Sequence, residues 1–354
     1  MLQISALKKV VLFLLLGFLI VAAIYYARPF LVPLCFGGLL AMLFLPLSRW
    51  FENKKIPKGI SILICIVIFL VLITTIIGLI SWQITDLATE SKDIENKIRK
   101  MISGVEEYIG ANFGISKKQQ QEIITDQAQG NGSILSNVGS FATGFVVDFI
   151  LVLVYIFLFM FYRSRIKTFV LQLISSQQKK NTETIIFDIQ KVSQQYITGL
   201  GMMIVCLWIM YSIGFSIVGV KYAVLFAIIC GLLEIIPFIG NLTGTLLAII
   251  MVVIQGGDTG MVLGVVITYL IVQFVQTYLL EPLVVGAEVN INPLFTIIIL
   301  VLGELVWGIP GMVLAIPLLG IVKIICDHIP SLKPYGYLIG SDRKKKSILL
   351  KRKK

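Results

Sequence analysis

Histidine is almost absent from this chain, with His328 the only one. The five cysteines, Cys35, Cys65, Cys206, Cys230 and Cys326, are scattered through apolar runs with no Cys-x-x-Cys or Cys–His spacing. Zinc sites, thiol redox pairs and Cys–His nucleophiles all need partners at short, regular spacing. The sequence therefore leads us to expect no metal site and no cofactor, and intramembrane metalloprotease chemistry lacks its histidine pair. No Gly-x-x-x-x-Gly-Lys-[Ser/Thr] loop occurs either, which argues against ATP-driven pumping by this chain alone. An enzyme is not expected. Charge is also scarce: 14% of the 354 residues are charged and 57% apolar, with mean hydropathy +0.94. Soluble domains carry about 25% charge, so this chain cannot cover itself with polar surface in water. The composition predicts an all-α, polytopic integral membrane protein.

The charge that is present is placed unevenly. Lys plus Arg number 30 against 19 acidic residues, a net +11, and eight of the positive charges fall between Arg343 and Lys354. Without that tail the balance is +3, so the basicity is local. A basic run after the last apolar segment meets anionic lipid head groups on the cytoplasmic side. No aromatic-basic surface accompanies it, and nucleic acid is not an expected partner.

A helical span needs about 20 apolar residues. Six runs have that length: 10–27, 30–47, 60–81, 141–162, 201–220 and 261–280. Two further runs, 222–254 and 294–326, are 33 residues each. As straight helices these would reach roughly 50 Å, too long even when tilted. Basic residues collect at Lys8 and Lys9, at Arg49 to Lys58, at Arg163 to Lys180, and in the tail, while 82–140 carries eight carboxylates against six basic residues. The excess of Lys and Arg on the cytoplasmic side then places both termini inside and 82–140 outside. In that outer segment Leu87, Ile94, Ile98, Met101, Val105 and Tyr108 trace a heptad seam, either an oligomer contact or gate over the pore, or a stripe resting on the membrane. Residues 126–140, rich in Gly, Ser, Asn and Gln, read as a flexible return. The chain thus divides into N-terminal spans (1–81), an extracytoplasmic helical segment (82–140), a fourth span with cytoplasmic amphipathic helices (141–198), a core with two broken segments (199–327) and a basic tail (328–354).

Both long runs carry helix breakers near their middles, Pro237 with Gly240 in one and Gly308, Pro310 and Gly311 in the other. They are either re-entrant hairpins or single kinked spans, and length with central breakers favours hairpins. Breaks at membrane depth persist only where the freed backbone is buried in protein or lines a cavity. A span followed by a hairpin, twice and with opposite topology, is the inverted-repeat plan of secondary transporters. Intramembrane carboxylates mark such pathways because they are costly there, which singles out Glu234, Glu304 and Asp148. Each also has a plainer role: filling backbone groups at a break for Glu234 and Glu304, capping near the outer interface for Asp148. The polar face Gln273, Gln276 and Thr277 leads to Glu281-Pro282, with Gly286 just beyond, and Asn241, Asn290 and Asn292 offer neutral hydrogen-bonding groups. The glutamines serve equally well as interhelical contacts.

At these residues the chain resembles the autoinducer-2 exporter family of bacterial membrane proteins. The resemblance rests on Leu233-Glu234-Ile235-Ile236-Pro237-Phe238-Ile239-Gly240, on Glu281-Pro282-Leu283-Val284-Val285-Gly286 with Asn292-Pro293 following, and on Trp307-Gly308-Ile309-Pro310-Gly311-Met312 with Ala315-Ile316-Pro317-Leu318. Together these cover about 199–327. The resemblance implies a homo-oligomeric secondary transporter of the bacterial cytoplasmic membrane that exports a small, polar, polyhydroxylated signalling molecule, and Glu234 or Glu304 is the residue expected to couple it to protons or sodium. Some relatives are associated instead with sodium/proton exchange. Glu304 departs from the small residue common at that point in relatives. The expectations are therefore secondary export, cation/proton antiport without an organic solute, or a non-transporting membrane scaffold, with lipid, a small polar solute and a proton or sodium ion as partners.

Overall fold

The computed structural model describes residues 6–89, 134–176, 178–236, 239–285 and 291–341, and among them secondary structure is helical apart from one antiparallel bridge between Ile291 and Gly340. The helices are α1 (Ala6–Tyr26), α2 (Arg28–Asn53), α3 (Lys58–Thr89), α4 (Ile134–Gln172), α5 (Lys179–Val218), α6 (Ala223–Leu233), α7 (Ile239–Ile254), α8 (Thr259–Val275), α9 (Pro293–Trp307), α10 (Ile309–His328) and α11 (Lys333–Ile339). Gln276–Val285 continues α8 as a π-helix. Among the described residues seven helices are long and apolar enough to cross a membrane, and shorter apolar helices occupy Ala223–Leu233, Leu242–Ile254 and Pro293–Trp307. The protein is a multi-pass membrane protein built from helices.

The expected spans are all present, with one difference at an end. The return expected over 126–140 stops earlier, because α4 begins at Ile134. Ile134, Leu135, Val138, Phe141 and Ala142 recur at helical spacing, a pattern hidden by the polar residues between them. The heptad seam from Ile94 to Tyr108 and the basic residues from Arg343 to Lys354 lie outside the described residues.

The chain forms two compact units. The first comprises 1–67, 151–202 and 281–354. Its core joins α2, α3 and α4 through Ala41, Ile62, Val152, Ile156 and Met160. Gly37 sets the α2–α4 distance, since a Cβ there would lie 2.5 Å from the Tyr155 Cβ. Small residues let helix backbones approach closely in lipid, where no hydrophobic force pulls helices together. A second cluster, Val32, Leu39 and Leu314, packs α2 against α10.

Polar contacts close the α2–α3 end of this core. Glu52 accepts from Ser48 Oγ at 2.9 Å and pairs with Arg163, while Lys58 Nζ donates to the Phe161 carbonyl. Removing one partner strands the other's charge in a partly buried site. Arg163→Met is therefore expected to cost about 1–3 kcal/mol, seen as a lower midpoint of thermal unfolding in detergent. Adding Glu52→Gln should recover part of that loss. No recovery would show that the two side chains are not coupled.

The second long run folds as a hairpin. α9 and α10 pack against each other, and a Cβ on Gly303 would lie 2.6 Å from the Gly311 carbonyl oxygen. Gly308 alone makes the turn, at φ 66°, ψ −146°, outside the range of residues with a Cβ. Pro310 and Gly311 belong to the first turn of α10 rather than to the break. At the turn Trp307 Nε1 donates to the Ile24 carbonyl at 3.0 Å. The break expected halfway across the membrane therefore lies, in this hairpin, level with the last turn of α1. The reason is arm length: 15 and 20 residues give roughly 22 and 30 Å. The open end of the hairpin is clasped by the C-terminal segment, where Asn292 N donates to the Ile339 carbonyl at 2.8 Å. It is also tied to α5 by His328 Nε2 facing Asp188 Oδ2 at 3.3 Å and by Asn181 bonding the His328 carbonyl.

The second unit comprises 68–150 and 203–280. Here α5 and α8 meet through glycines: a Cβ on Gly214 would overlap Thr268, and one on Gly264 would overlap Val218. Gly219 at φ 84° and Tyr222 at φ 62° turn the chain from α5 into α6. Gly256 at φ 81° and the Asp258 side chain, which accepts from Met261 N at 2.9 Å, start α8.

Candidate functional site

The first long run is also a hairpin, of α6 and α7, contained in the second unit. Gly244 faces the Cys230 backbone, where a Cβ would come within 2.8 Å of the Cys230 Cα. The arms converge further at the break, where a Cβ on Gly240 would overlap the Leu233 carbonyl. α6 ends at Leu233, and the next three amides still find carbonyls: Glu234 N to Cys230, Ile235 N to Leu232, Ile236 N to Leu233. Pro237 and Phe238 lie outside the described residues, as does the side chain of Asn241.

Glu234 is the C-terminal cap of α6. Its Oε1 accepts a hydrogen bond of 2.6 Å from Gln276 Nε2. A charge-assisted bond of that length is among the stronger kinds. Gln276 is 2% exposed, which shuts water out from its side of the pair. It stands seventeen residues past the start of α8, about 25 Å along the axis, so the first hairpin carries its break deep along α8. At Gln276 the helix widens into the π-helical stretch. π-Bulges within helices are frequent at functional sites.

A few polar groups are buried on the same helices. Tyr211 on α5 is fully buried, and its hydroxyl interacts with Thr245 on α7, within electrostatic reach of Glu234, Cys230 and Tyr269. Thr268 is also buried, its hydroxyl bonded to the Gly264 carbonyl at 2.8 Å. Trp208 lies over Gly231 and donates through Nε1 to the Ile228 carbonyl at 3.1 Å, fixing α6 against α5.

The other expected site residues are placed differently. Gln273 bonds Thr277 at 3.2 Å, along its own helix. Glu281, Glu304 and Asp148 are exposed on their helices. Asn292 caps α9, its Oδ1 accepting from Leu294 N at 3.0 Å, so it serves the backbone rather than a solute. Pro282 does not break its helix, because the π-helix runs on through it to Val285 and the wider pitch sets in earlier, at Gln276. Gly286 and Asn290 lie outside the described residues. Sequence reasoning missed Tyr211, Thr245 and the Glu52–Arg163 pair. Tyr211 shares a helix face with Leu207 and Phe215, a stripe at i, i+4 and i+8 in which it is the one polar tip. Among the described residues no group of three or more His, Cys, Asp or Glu comes together to hold a metal ion.

Comparison with known proteins extends this picture. Residues 11–331 match the profile of the AI-2E transport family, described as AI-2E family transporter. The chain is 27% identical over 338 residues to "Putative transport protein YueF" of Bacillus subtilis, covering 88% of this chain and 89% of that one. It is 25% identical over 319 residues to "Putative transport protein YrrI" of the same organism, covering 84% and 86%. A protein of Halobacillus andaensis named "Sodium-lithium/proton antiporter" is 25% identical over 343 residues, covering 88% of this chain and 93% of its own.

Proposed function

The chain belongs to the AI-2E family of transporters, and from that premise we propose that it is a secondary exporter of a small, polar, polyhydroxylated signalling solute of the autoinducer-2 type. It works in the bacterial cytoplasmic membrane as a homo-oligomer, driven by protons or sodium. The observation that carries the reading is the Glu234–Gln276 pair, a carboxylate at a helix break held by a buried amide. A carboxylate in such a place binds or releases a cation as its exposure changes. Gln273 and Glu281, on the same helix and its π-helical continuation, are the next residues along the proposed pathway. Asn241, Glu304 and Asp148 follow as secondary contributors.

Contacts within the first unit support the proposed orientation. The Glu52–Arg163 pair joins the basic α2–α3 turn to the basic end of α4. Lys167 pairs with Glu183 at 2.9 Å, and Asp188 with His328. Two of the basic clusters, Arg49 to Lys58 and Arg163 to Lys180, thus share one end of this unit, the side expected to face the cytoplasm.

A second reading, sodium/proton antiport with no organic solute, is favoured by the likeness to the Halobacillus andaensis protein. Inverted vesicles separate the two. Labelled polyhydroxylated solute should accumulate under an imposed pH or sodium gradient, each applied alone. Sodium–proton exchange without solute uptake would move the assignment to antiport. Absence of both would overturn each of them.

A further inference from the structure

The turn between α2 and α3 carries more positive charge than it neutralises. Arg49, Lys54, Lys55 and Lys58 lie on or beside it, with Glu52 as the one carboxylate among residues 49–58. That carboxylate is already paired with Arg163 of α4. Lys58 stands within electrostatic reach of both Glu52 and Arg163, so two cations share one anion. The Glu52 and Arg163 side chains are each 22% exposed, and partial exclusion of water strengthens the attraction for a further anion. Arg163 also has a donor to spare, because its Nη1 is enclosed and has no hydrogen-bond partner. Such donors are few in native proteins and call for an acceptor from outside the chain. At the tip of the turn Lys55 sits at φ 66°, a conformation for which glycine is the usual residue. A cation is kept there in spite of the strain.

The surroundings narrow the kind of anion. Trp50 is exposed, and Lys54 Nζ lies 3.6 Å from the centre of its ring. Lys58 Nζ lies 5.5 Å from the centre of the Phe161 ring. Exposed aromatic rings beside cations are the pattern of a membrane–water interface. Two apolar stripes run away from the cations, Ile60, Leu63 and Val67 on α3 and Phe161, Leu158 and Val154 on α4, all exposed. A soluble phosphate compound would leave these stripes bare, whereas a phospholipid covers them with its chains. Basic pockets between helices at a cytoplasmic interface suit anionic head groups.

We propose that the α2–α3 turn and the part of α4 around Arg163 form a site for one anionic phospholipid. Its phosphate lies between Lys54 and Lys58, in the field of Arg163, and its chains lie on the α3 and α4 stripes. The bound lipid supplies negative charge that Glu52 alone does not, and it ties the turn to α4. This site stands whether or not the chain moves a solute.

Trp50 reports on the site, because a lipid seated there brings its chains close to the indole. The full chain is placed in phosphatidylcholine nanodiscs with a small, equal fraction of brominated phosphatidylglycerol or brominated phosphatidylcholine. The Trp50 contribution is the part of the quenching that disappears in Trp50→Phe. Brominated phosphatidylglycerol should quench it about fivefold more than brominated phosphatidylcholine, the enrichment given by one basic residue engaged. Lys54→Gln with Lys58→Gln should bring that ratio close to one. Lys54→Gln with Lys55→Gln, both on exposed positions, should lower it as well and guards against a folding defect in the first pair. Lys8→Gln with Lys9→Gln removes the same charge elsewhere and should leave the ratio unchanged. Equal quenching by the two lipids, or an equal loss in the Lys8 and Lys9 variant, would overturn the site. Inorganic phosphate added at constant ionic strength should not relieve the quenching. Relief would give these cations to a soluble anion and overturn the lipid.

Discussion

Glu234→Gln is expected to abolish gradient-coupled transport while leaving the protein folded. The replacement keeps the size of the side chain and still offers Gln276 an amide oxygen, so the contact between the hairpin break and α8 survives. What is lost is the ability to bind a positive charge. A transporter obtains its coupling only from the difference in ion affinity between its states. With the charge removed that difference falls toward zero, and flux against a gradient in inverted vesicles should drop by about two orders of magnitude. Glu304→Gln and Asp148→Asn, on exposed positions, should change flux by less than about twofold. A Glu234→Gln protein that still exchanges ions at the parental rate would remove this carboxylate from the mechanism.

The second large effect is on stability and falls on the α9–α10 hairpin. A Cβ on Gly311 would overlap the Gly303 carbonyl, and this contact is backbone against backbone, with no flexible side chain to move aside. Forced overpacking costs about 1–3 kcal/mol or more. Gly311→Val should therefore lower the midpoint of thermal unfolding in detergent by on the order of several degrees. Gly308→Ala should show a comparable loss from strain at φ 66°. Gly17→Ala and Gly78→Ala are the controls, because nothing lies within 4 Å of a Cβ at either. Equal midpoints for Gly311→Val and Gly17→Ala would mean that the hairpin arms are not packed as described.

Much of this architecture was legible from hydropathy and breakers. Apolar run length located every span, and 33 residues with a central breaker marked each hairpin. Asn292-Pro293 before an apolar run is a helix-start signature, although its asparagine drew attention as a solute contact. Glu234 stood out because a carboxylate in an apolar run is expensive. Its partner did not, since Gln273 and Gln276 are three residues apart on one polar face and only the packing of α6 on α8 tells them apart. The π-helical pitch leaves no compositional trace. Tyr211 and Thr245 hide in apolar runs because their bodies satisfy the same burial as their neighbours. Breaker position along the chain also says nothing about depth, which depends on arm length and on where the turn lands. That is why the α9–α10 turn reaches α1.

The widened stretch from Gln276 to Val285 has an evolutionary corollary. A coil wound with more residues per turn holds surplus chain, so deleting one amino acid there lets it relax to ordinary pitch with no gap left behind. Loss of one codon there should therefore be tolerated better than inside an α-helical rod.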